Sequence, residues 1–407
     1  MHRSSVGVSR TVDALVVVAA LAASAFGGYF LTSGGPTTTT TVTSSGSATT
    51  SAVTSSAAGS ASTTTSAPTQ TSAAIIADLE AAAKAECAQV ATCLTIYTTQ
   101  DSGNWAEYYG PLFYQQFPWA SGKVDYISWS ASDLTTHILS DYQTKNFQAD
   151  IVTGTLAPLI PAYRGGALLN YTSPMAKAMN YTSDAVGPAW VVEDLAPVDL
   201  VYNPTLLPAS QVPKSWADLA NPIYNGKLAF QSPSSLSITT AKFYYLYTVM
   251  GNSSGQWTSL MKGIAANHPM ITSTAGAAES YVLNGQAAIG IDTLDSYVTA
   301  VKASPNVPLK LIDIEPTVYT PGVVGIASGA PHPNMAKLME AWFISPEGQT
   351  GVYQTNHLPY TTSAGTGLTS YLPSDYKLVD AYSTYANTPL FQNTGAWSDT
   401  FRAIFGA

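Results

Sequence analysis

Two rhythms of apolar and polar positions run along this chain from about residue 73 onward. Ala73 to Gln89 is alanine-rich, with Ile75, Ile76 and Leu79 at helical spacing, which predicts a helix. Leu94-Thr-Ile-Tyr-Thr-Thr then predicts a strand, and Trp105 to Phe117 a helix. Val124 to Ser130 alternates with period two, Asp133 to Tyr142 is helical, Asp150-Ile-Val-Thr is a short strand, and Pro158 to Arg164 is a helix. A second run begins at Pro197-Val-Asp-Leu-Val-Tyr-Asn and continues with Ser215 capping a helical segment. It proceeds through a strand at Leu228 to Ser232, helices at Ser237–Met250, Trp257–Ala265 and Ala275–Leu283, and a strand at Ala287 to Asp292. Met335 to Phe343 and the segment from Ser345 close the series, with Ser345 as cap and Pro346 in the first turn. Strand–helix alternation of this kind predicts an α/β body around a mainly parallel sheet.

The first 72 residues follow neither rhythm. Ala14 to Leu31 is nearly continuous apolar, preceded by Arg3 and Arg10, and predicts a membrane anchor with the following chain outside the cell. A cleaved signal peptide is the rival reading. No cysteine lies near this segment, which excludes a bacterial-type lipoprotein anchor. Pro36 to about Ser72 is almost wholly Thr, Ser, Ala and Gly, a composition that buries too little to order itself and reads as an O-glycosylated stalk. Asn170, Asn180 and Asn252 each begin an Asn-X-Ser/Thr acceptor pattern.

Composition narrows the function. Hydrophobic residues make up 46% of the 407-residue chain and charged residues only 10%, against roughly 25% charged in ordinary soluble proteins. With a net charge of -9 there is no basic stripe for nucleic acid. A surface built from Ser, Thr, Asn, Gln and Tyr changes its charge little with pH, which suits life outside the cell and in acid. Cys87 and Cys93 fit no zinc or redox spacing; they are either a short-loop disulfide or two buried thiols.

Two catalytic strings match by letter and fail by context. Gly251-Asn-Ser253-Ser-Gly255 has the nucleophile-elbow letters but follows a predicted helix, where a strand is needed. Ser259-Leu-Met-Lys262 lacks the companion motifs of Ser-x-x-Lys enzymes. The five histidines are scattered without metal-ligand spacing, and no phosphate-cradling Gly-rich loop occurs. The chain leans toward binding rather than catalysis.

In parallel sheets, ligands sit beyond the carboxyl ends of the strands. Here those ends carry Thr99, Gln100 and Asp101, then Ser130, then Thr153 and Thr155. The span from about Leu94 to Ala364 resembles the periplasmic-binding-protein type II superfamily, nearest its ferric-iron/phosphonate-type branch of ABC importer binding proteins. The stretches that carry the likeness include Ala149-Asp-Ile-Val-Thr, Asp199-Leu-Val-Tyr-Asn-Pro, Pro213-Lys-Ser-Trp-Ala-Asp-Leu-Ala-Asn-Pro, Gly226-Lys-Leu-Ala-Phe-Gln-Ser-Pro, Asn284-Gly-Gln-Ala-Ala-Ile-Gly and Phe343-Ile-Ser-Pro-Glu-Gly-Gln.

The resemblance implies two α/β lobes, 74–197 with 317–407 and 198–316, joined by crossovers near Pro197–Tyr202 and Glu315–Thr320. It also implies a solute gripped between the lobes, an ABC permease as partner and no cofactor. The Ser-Pro-Ser-Ser turn, with Ser234, Ser235 and Ser237, would offer hydroxyls and a helix start to a solute, or would cap its own helix. The ferric ligands of that branch are largely missing. Leu294 and Asp295 stand where the tyrosine pair would be, Asp101 near the expected histidine and Thr155 near the expected glutamate, although Asp292 and Tyr297 remain candidates. A polar organic solute or modest anion fits better than a bare ferric ion, with an atypical ferric or chelate binder, or a hydrolase on the same scaffold, as alternatives. Trp129 is either a stacking face for the solute or part of the core.

Overall fold

The computed structural model describes residues 70–406, apart from 251–253, 313, 315–316, 362–377 and 380–392. The chain divides after Thr69, and the folded body is the unit from Gln70 onward. The anchor at Ala14–Leu31, the stalk and the Asn252 acceptor lie outside the described residues. Among the described residues, no helix is long and apolar enough to cross a membrane.

The first lobe begins with α1 (Ser72–Glu86), β1 (Leu94–Thr98), α2 (Gly110–Gln116), β2 (Val124–Ser128), α3 (Ala131–Thr144), β3 (Ile151–Thr155), α4 (Leu156–Arg164) and α5 (Pro174–Ala178). The long strand β4 (Val191–Tyr202) crosses to the second lobe. That lobe holds β5 (Leu228–Gln231), α6 (Ile238–Val249), α7 (Ser254–Ala266), β6 (Met270–Thr272), α8 (Ala275–Leu283), β7 (Ile289–Thr293), α9 (Leu294–Ala303) and β8 (Lys310–Ile312). Strand β9 (Thr317–Ile326) returns, followed by α10 (Pro333–Phe343), α11 (Pro346–Gln354), the two-residue strands β10 (Leu358–Pro359) and β11 (Leu378–Val379), and α12 (Thr394–Phe405).

The sheet runs β2-β1-β3-β9-β4-β7-β5-β6, with β8 and β10 also on β4 and β11 on β9. β2, β1 and β3 are mutually parallel, as are β7, β5 and β6. Between these two parallel sets lie the antiparallel crossovers β9 and β4, paired from Val191↔Val324 to Val198↔Val318. The two-lobed α/β architecture with two crossover strands is thus the one expected. Each parallel set has its own core: Leu94, Ile96, Phe113, Met339 and Trp342 on one side, and Leu200, Phe230, Phe243, Trp257 and Ile289 on the other.

Local signals explain most boundaries. Ser130 accepts a hydrogen bond from Asp133 N and starts α3, which Lys145 ends in the left-handed conformation. Ser237 and Thr240 form a reciprocal cap on α6, and Ser345 with Pro346 starts α11. Glu86, at the end of α1, accepts from Asn334 N and Met335 N at 3.0 and 2.9 Å, so one helix caps the start of another far along the chain.

Cys87 and Cys93 are buried and form a disulfide across six positions, with a Cα–Cα distance of 5.5 Å. This is chemistry of an oxidising compartment. Replacing both cysteines by serine is expected to cost about 2 kcal/mol from lost loop closure. Urea unfolding of the variant and of the oxidised parent measures the difference.

Candidate functional site

The carboxyl ends of β1 and β3 meet the crossover strands at one polar seam. Thr155 of β3 lies opposite Gly322 of β9, and Gly322 in turn lies opposite Asp194 of β4. The register of β4 against β9 slips between Val192 and Asp194, leaving Glu193 as an inserted residue. Neighbouring side chains of a regular strand point to opposite faces; a bulge breaks that alternation. Glu193 and Asp194 consequently reach the same donor: Gln100 Nε2 gives hydrogen bonds to Glu193 Oε1 at 2.9 Å and to Asp194 Oδ2 at 3.2 Å. Thr153 Oγ1 donates to Glu193 Oε1 at 2.6 Å, and Tyr126 donates to Gln100 Oε1 at 3.1 Å, which fixes the amide's orientation. Gln349 of α11 donates to the Glu193 carbonyl at 2.7 Å.

Gly322 makes the second carboxyl possible, because a Cβ there would overlap the Asp194 side chain. Gly322→Ala is therefore expected to displace Asp194 and to cost roughly 1–3 kcal/mol of overpacking. Thermal unfolding checks the cost, and a crystal structure of the variant checks the displacement.

The second lobe and the chain after α11 complete the seam. Asp295 stands in the first turn of α9, and His357 Nε2 approaches its Oδ2 at 3.7 Å. His357 Nδ1 lies 2.9 Å from Thr355 Oγ1, whose own proton goes to the Val352 carbonyl at 2.7 Å. Thr355 Oγ1 must therefore accept from a protonated His357 Nδ1, leaving Nε2 toward the carboxylates. The order Thr355–His357–Asp295 has the letters of a nucleophile–base–acid relay, but a hydroxyl engaged with Val352 at a buried helix end is not a nucleophile held for attack. Asn356, in the left-handed conformation, accepts from Lys302 Nζ and donates to Thr299 Oγ1. Asp295, Thr299 and Lys302 share one face of α9, so the 355–357 turn grips that face.

The electrostatics are those of crowded acids. Burial, and then Asp194, push the Glu193 carboxyl up to about 8. Burial raises Asp194 as well, with His357 opposing. Glu279 of α8 is pushed up to about 7 by burial and then by Asp295. For His357, burial pulls the imidazole down, but Asp295, Asp194 and Glu193 outweigh it and leave it above its ordinary value. Three buried carboxylate oxygens here, Glu193 Oε2, Asp295 Oδ1 and Glu279 Oε1, have no hydrogen-bond partner.

The residues expected from sequence divide between seam and surface. Gln100 and Thr153 lie in the seam. Thr99 braces it, accepting from Thr155 N at 3.2 Å, where Gly154 at φ +133 lets the two strand ends approach. Asp101 is exposed and closes its own turn onto Gly103 N at 2.7 Å. Ser130 is an exposed helix cap. Asp292 holds its place in β7 opposite Asp199.

The serine turn is spent internally. Ser234 Oγ pairs with Ser232 Oγ at 2.9 Å, Ser235 Oγ donates to the Ser232 carbonyl at 2.8 Å, and Ser237 caps α6. Leu294, at a tyrosine position of the ferric branch, is fully buried. Trp129 stacks on His137 at 3.8 Å and meets Tyr97 edge-on at 6.0 Å. Ser259 donates to the Gly255 carbonyl on α7, and Gly251–Ser253 lies outside the described residues. Among the described residues, no group of three or more His, Cys, Asp or Glu side chains is placed to hold a metal ion.

Sequence reading missed Glu193, Asp194, Glu279 and His357. The available signal was Val-Val-Glu-Asp-Leu-Ala-Pro-Val, two adjacent acids inside an otherwise apolar crossover. Nothing local marks Glu279 or His357.

Known proteins resemble the chain over this same body. A periplasmic protein of Salmonella typhi named for 2-aminoethylphosphonate binding is 26% identical over 218 residues, which is 51% of this chain and 60% of that protein. The chain thus spans about three-fifths of that curated relative's length. Iron-bound HitA from Pseudomonas aeruginosa superposes with a TM-score of 0.61 at 19% identity, covering 77% of this chain and 99% of that one. The periplasmic binding protein AfuA from Actinobacillus pleuropneumoniae, with fructose-6-phosphate bound, gives 0.60 at 22% identity, covering 77% and 96%. These two show the shared fold. The model of the bacterial extracellular solute-binding proteins matches residues 144–377, more than half of the sequence, and the chain belongs to that family.

Proposed function

We propose that this protein captures a small polar solute outside the cell and hands it to the permease of an ABC importer. The observation that carries the reading is the polar seam. In a chain of this family, side chains from both lobes and both sides of the crossover converge at the carboxyl ends of the parallel strands, where such sheets take ligands. Gln100 and Thr153 come from the first lobe, Glu193 and Asp194 from the crossover, and Asp295 from the second lobe. The apolar segment Ala14–Leu31 and the Ser/Thr-rich stretch after it tether the body to the membrane in this reading. Exposed Asn170 and Asn180 accept glycans in the same compartment.

A ferric-ion reading has less support, because Leu294 is buried and the seam's carboxylates are not placed as a metal-binding group among the described residues. The test is thermal unfolding against a panel of sugars, phosphonates, thiamine-like compounds, amines and metal chelates, with small-angle scattering on every hit. A ligand that raises the unfolding temperature and contracts the particle is expected. Absence of both effects across the panel rejects solute capture.

A further inference from the structure

The seam specifies the charge of what it holds, given the solute-capture reading on which this step rests. We infer that the solute presents a positively charged nitrogen to the seam, received by Glu193 and Asp194 of the crossover and by Asp295 and Glu279 of the second lobe.

Buried polar atoms in folded proteins nearly always find partners. Here three buried carboxylate oxygens have none, and Glu193, which carries one of them, is wholly buried; Asp295 connects the group, acting on Asp194 on one side and on Glu279 on the other. The other Glu193 oxygen is saturated by Gln100 and Thr153, so its side chain is held firmly with Oε2 still unpartnered. Burial favours the protonated Glu193 carboxyl, and a charged N–H donor at its orphaned oxygen reverses that preference by pairing with the carboxylate. An ammonium group carries three such donors and a guanidinium five.

The lysines near the seam are engaged, Lys302 Nζ with Asn356 Oδ1 and buried Lys242 Nζ with the Val198 carbonyl of β4. His357 is a basic group acting on both Glu193 and Asp194, opposing the charge of Asp194 on the first and of Asp295 on the second. The described arginines are elsewhere. Arg402 pairs with exposed Asp399 at 2.6 Å, and Arg164 lines a separate surface cavity of about 550 Å³ with Tyr163, Gly166 and Asn170. In the serine turn the Ser235 and Ser237 hydroxyls donate to the Ser232 carbonyl and are engaged there. The acids are spread over β4, α8 and α9 without metal-holding geometry among the described residues. That spread suits a nitrogen on a carbon skeleton, with donors radiating outward, better than a bare ion.

The test uses matched solutes that differ in the cationic nitrogen, titrated calorimetrically into the full-chain protein: putrescine against 1,4-butanediol, arginine against citrulline, and 2-aminoethylphosphonate against ethylphosphonate. At least one cationic member is expected to bind at least tenfold tighter than its partner. Glu193→Gln and Asp295→Asn are each expected to weaken that binding at least tenfold while leaving the circular dichroism unchanged. If a variant does not fold, the matched pairs on the unaltered protein decide alone. Equal or tighter binding of the members lacking the nitrogen, or a solute from the wider panel that binds without any cationic group, overturns the charge assignment and leaves solute capture standing. No binding by any compound in either panel overturns both.

Discussion

Trp257→Ala is expected to destabilise the protein by about 3–5 kcal/mol, the usual range for emptying a large aromatic site. Trp257 is 1% exposed, and its indole N–H donates to the Phe243 carbonyl at 2.7 Å. It is also the meeting point of the second lobe and the C-terminal helix: Trp397 and Phe401 of α12 pack on it at 5.5 and 5.7 Å, while Phe405 stacks on Phe243 at 5.7 Å. The substitution thus opens a cavity, removes a buried hydrogen bond and undercuts the seat of α12 together. Urea unfolding measures the loss. A value under 1 kcal/mol would mean that α12 does not depend on this aromatic floor.

Glu340→Gln is expected to remove a large part of the protein's pH dependence. Glu340 lies inside the first lobe on α10, 2% exposed, with one hydrogen bond, from Ser173 Oγ at 3.0 Å. Burial pushes its carboxyl up to about 8, and the Ser173 hydroxyl only partly opposes this. The folded state therefore holds this proton where the unfolded chain has released it. Between the unfolded value near 4.5 and the folded value near 8, the native state binds more protons, so stability falls as pH rises. The stabilisation is fully present below pH 4.5, and losing it across that window amounts to on the order of 5 kcal/mol. Glutamine keeps the shape without the titration, so the variant's curve should be much flatter through that range. Denaturant unfolding at half-unit pH steps supplies the comparison, and an unchanged slope rejects the assignment.

The same sign recurs elsewhere. The carboxyls of Asp141, Asp150, Glu193, Asp194 and Glu279 are all raised, each chiefly by burial. His357 adds in the same direction: its raised value favours the protonated, paired form, so its contribution is held at low pH and lost as pH rises through the folded value. A chain with few surface charges and its acids buried in this way is built to be most stable on the acid side of neutrality.

The fold was legible because its signals are local. Period-two stretches such as Val124–Ser128 and caps such as Ser237 and Ser345 state their structure within a few residues, and the order of strands and helices limits the topology. The seam was legible only in part, for a physical reason. Gln100 and Thr153 sit at strand ends, a place the alternation predicts. Glu193 and Asp194 act together only because β4 slips by one residue against β9, and a register slip depends on the partner strand. Likewise Gly322 reads as one glycine among thirty until Asp194 is seen packed over it. The serine turn misled in the opposite sense: its hydroxyls look available in sequence, and only the fold shows them bonded within the turn, Ser234 to Ser232 Oγ and Ser235 and Ser237 to the Ser232 carbonyl.

The fastening of α1 has a mechanical consequence. Any pull on the chain before Ser72 enters the body at the free end of this helix, while its far end is fixed twice, by Glu86 on the start of α10 and by the Cys87–Cys93 bridge just ahead of β1. Such a load is carried along the helix axis in shear, across many side-chain contacts at once. A load entering there meets these two fixings before it meets β1.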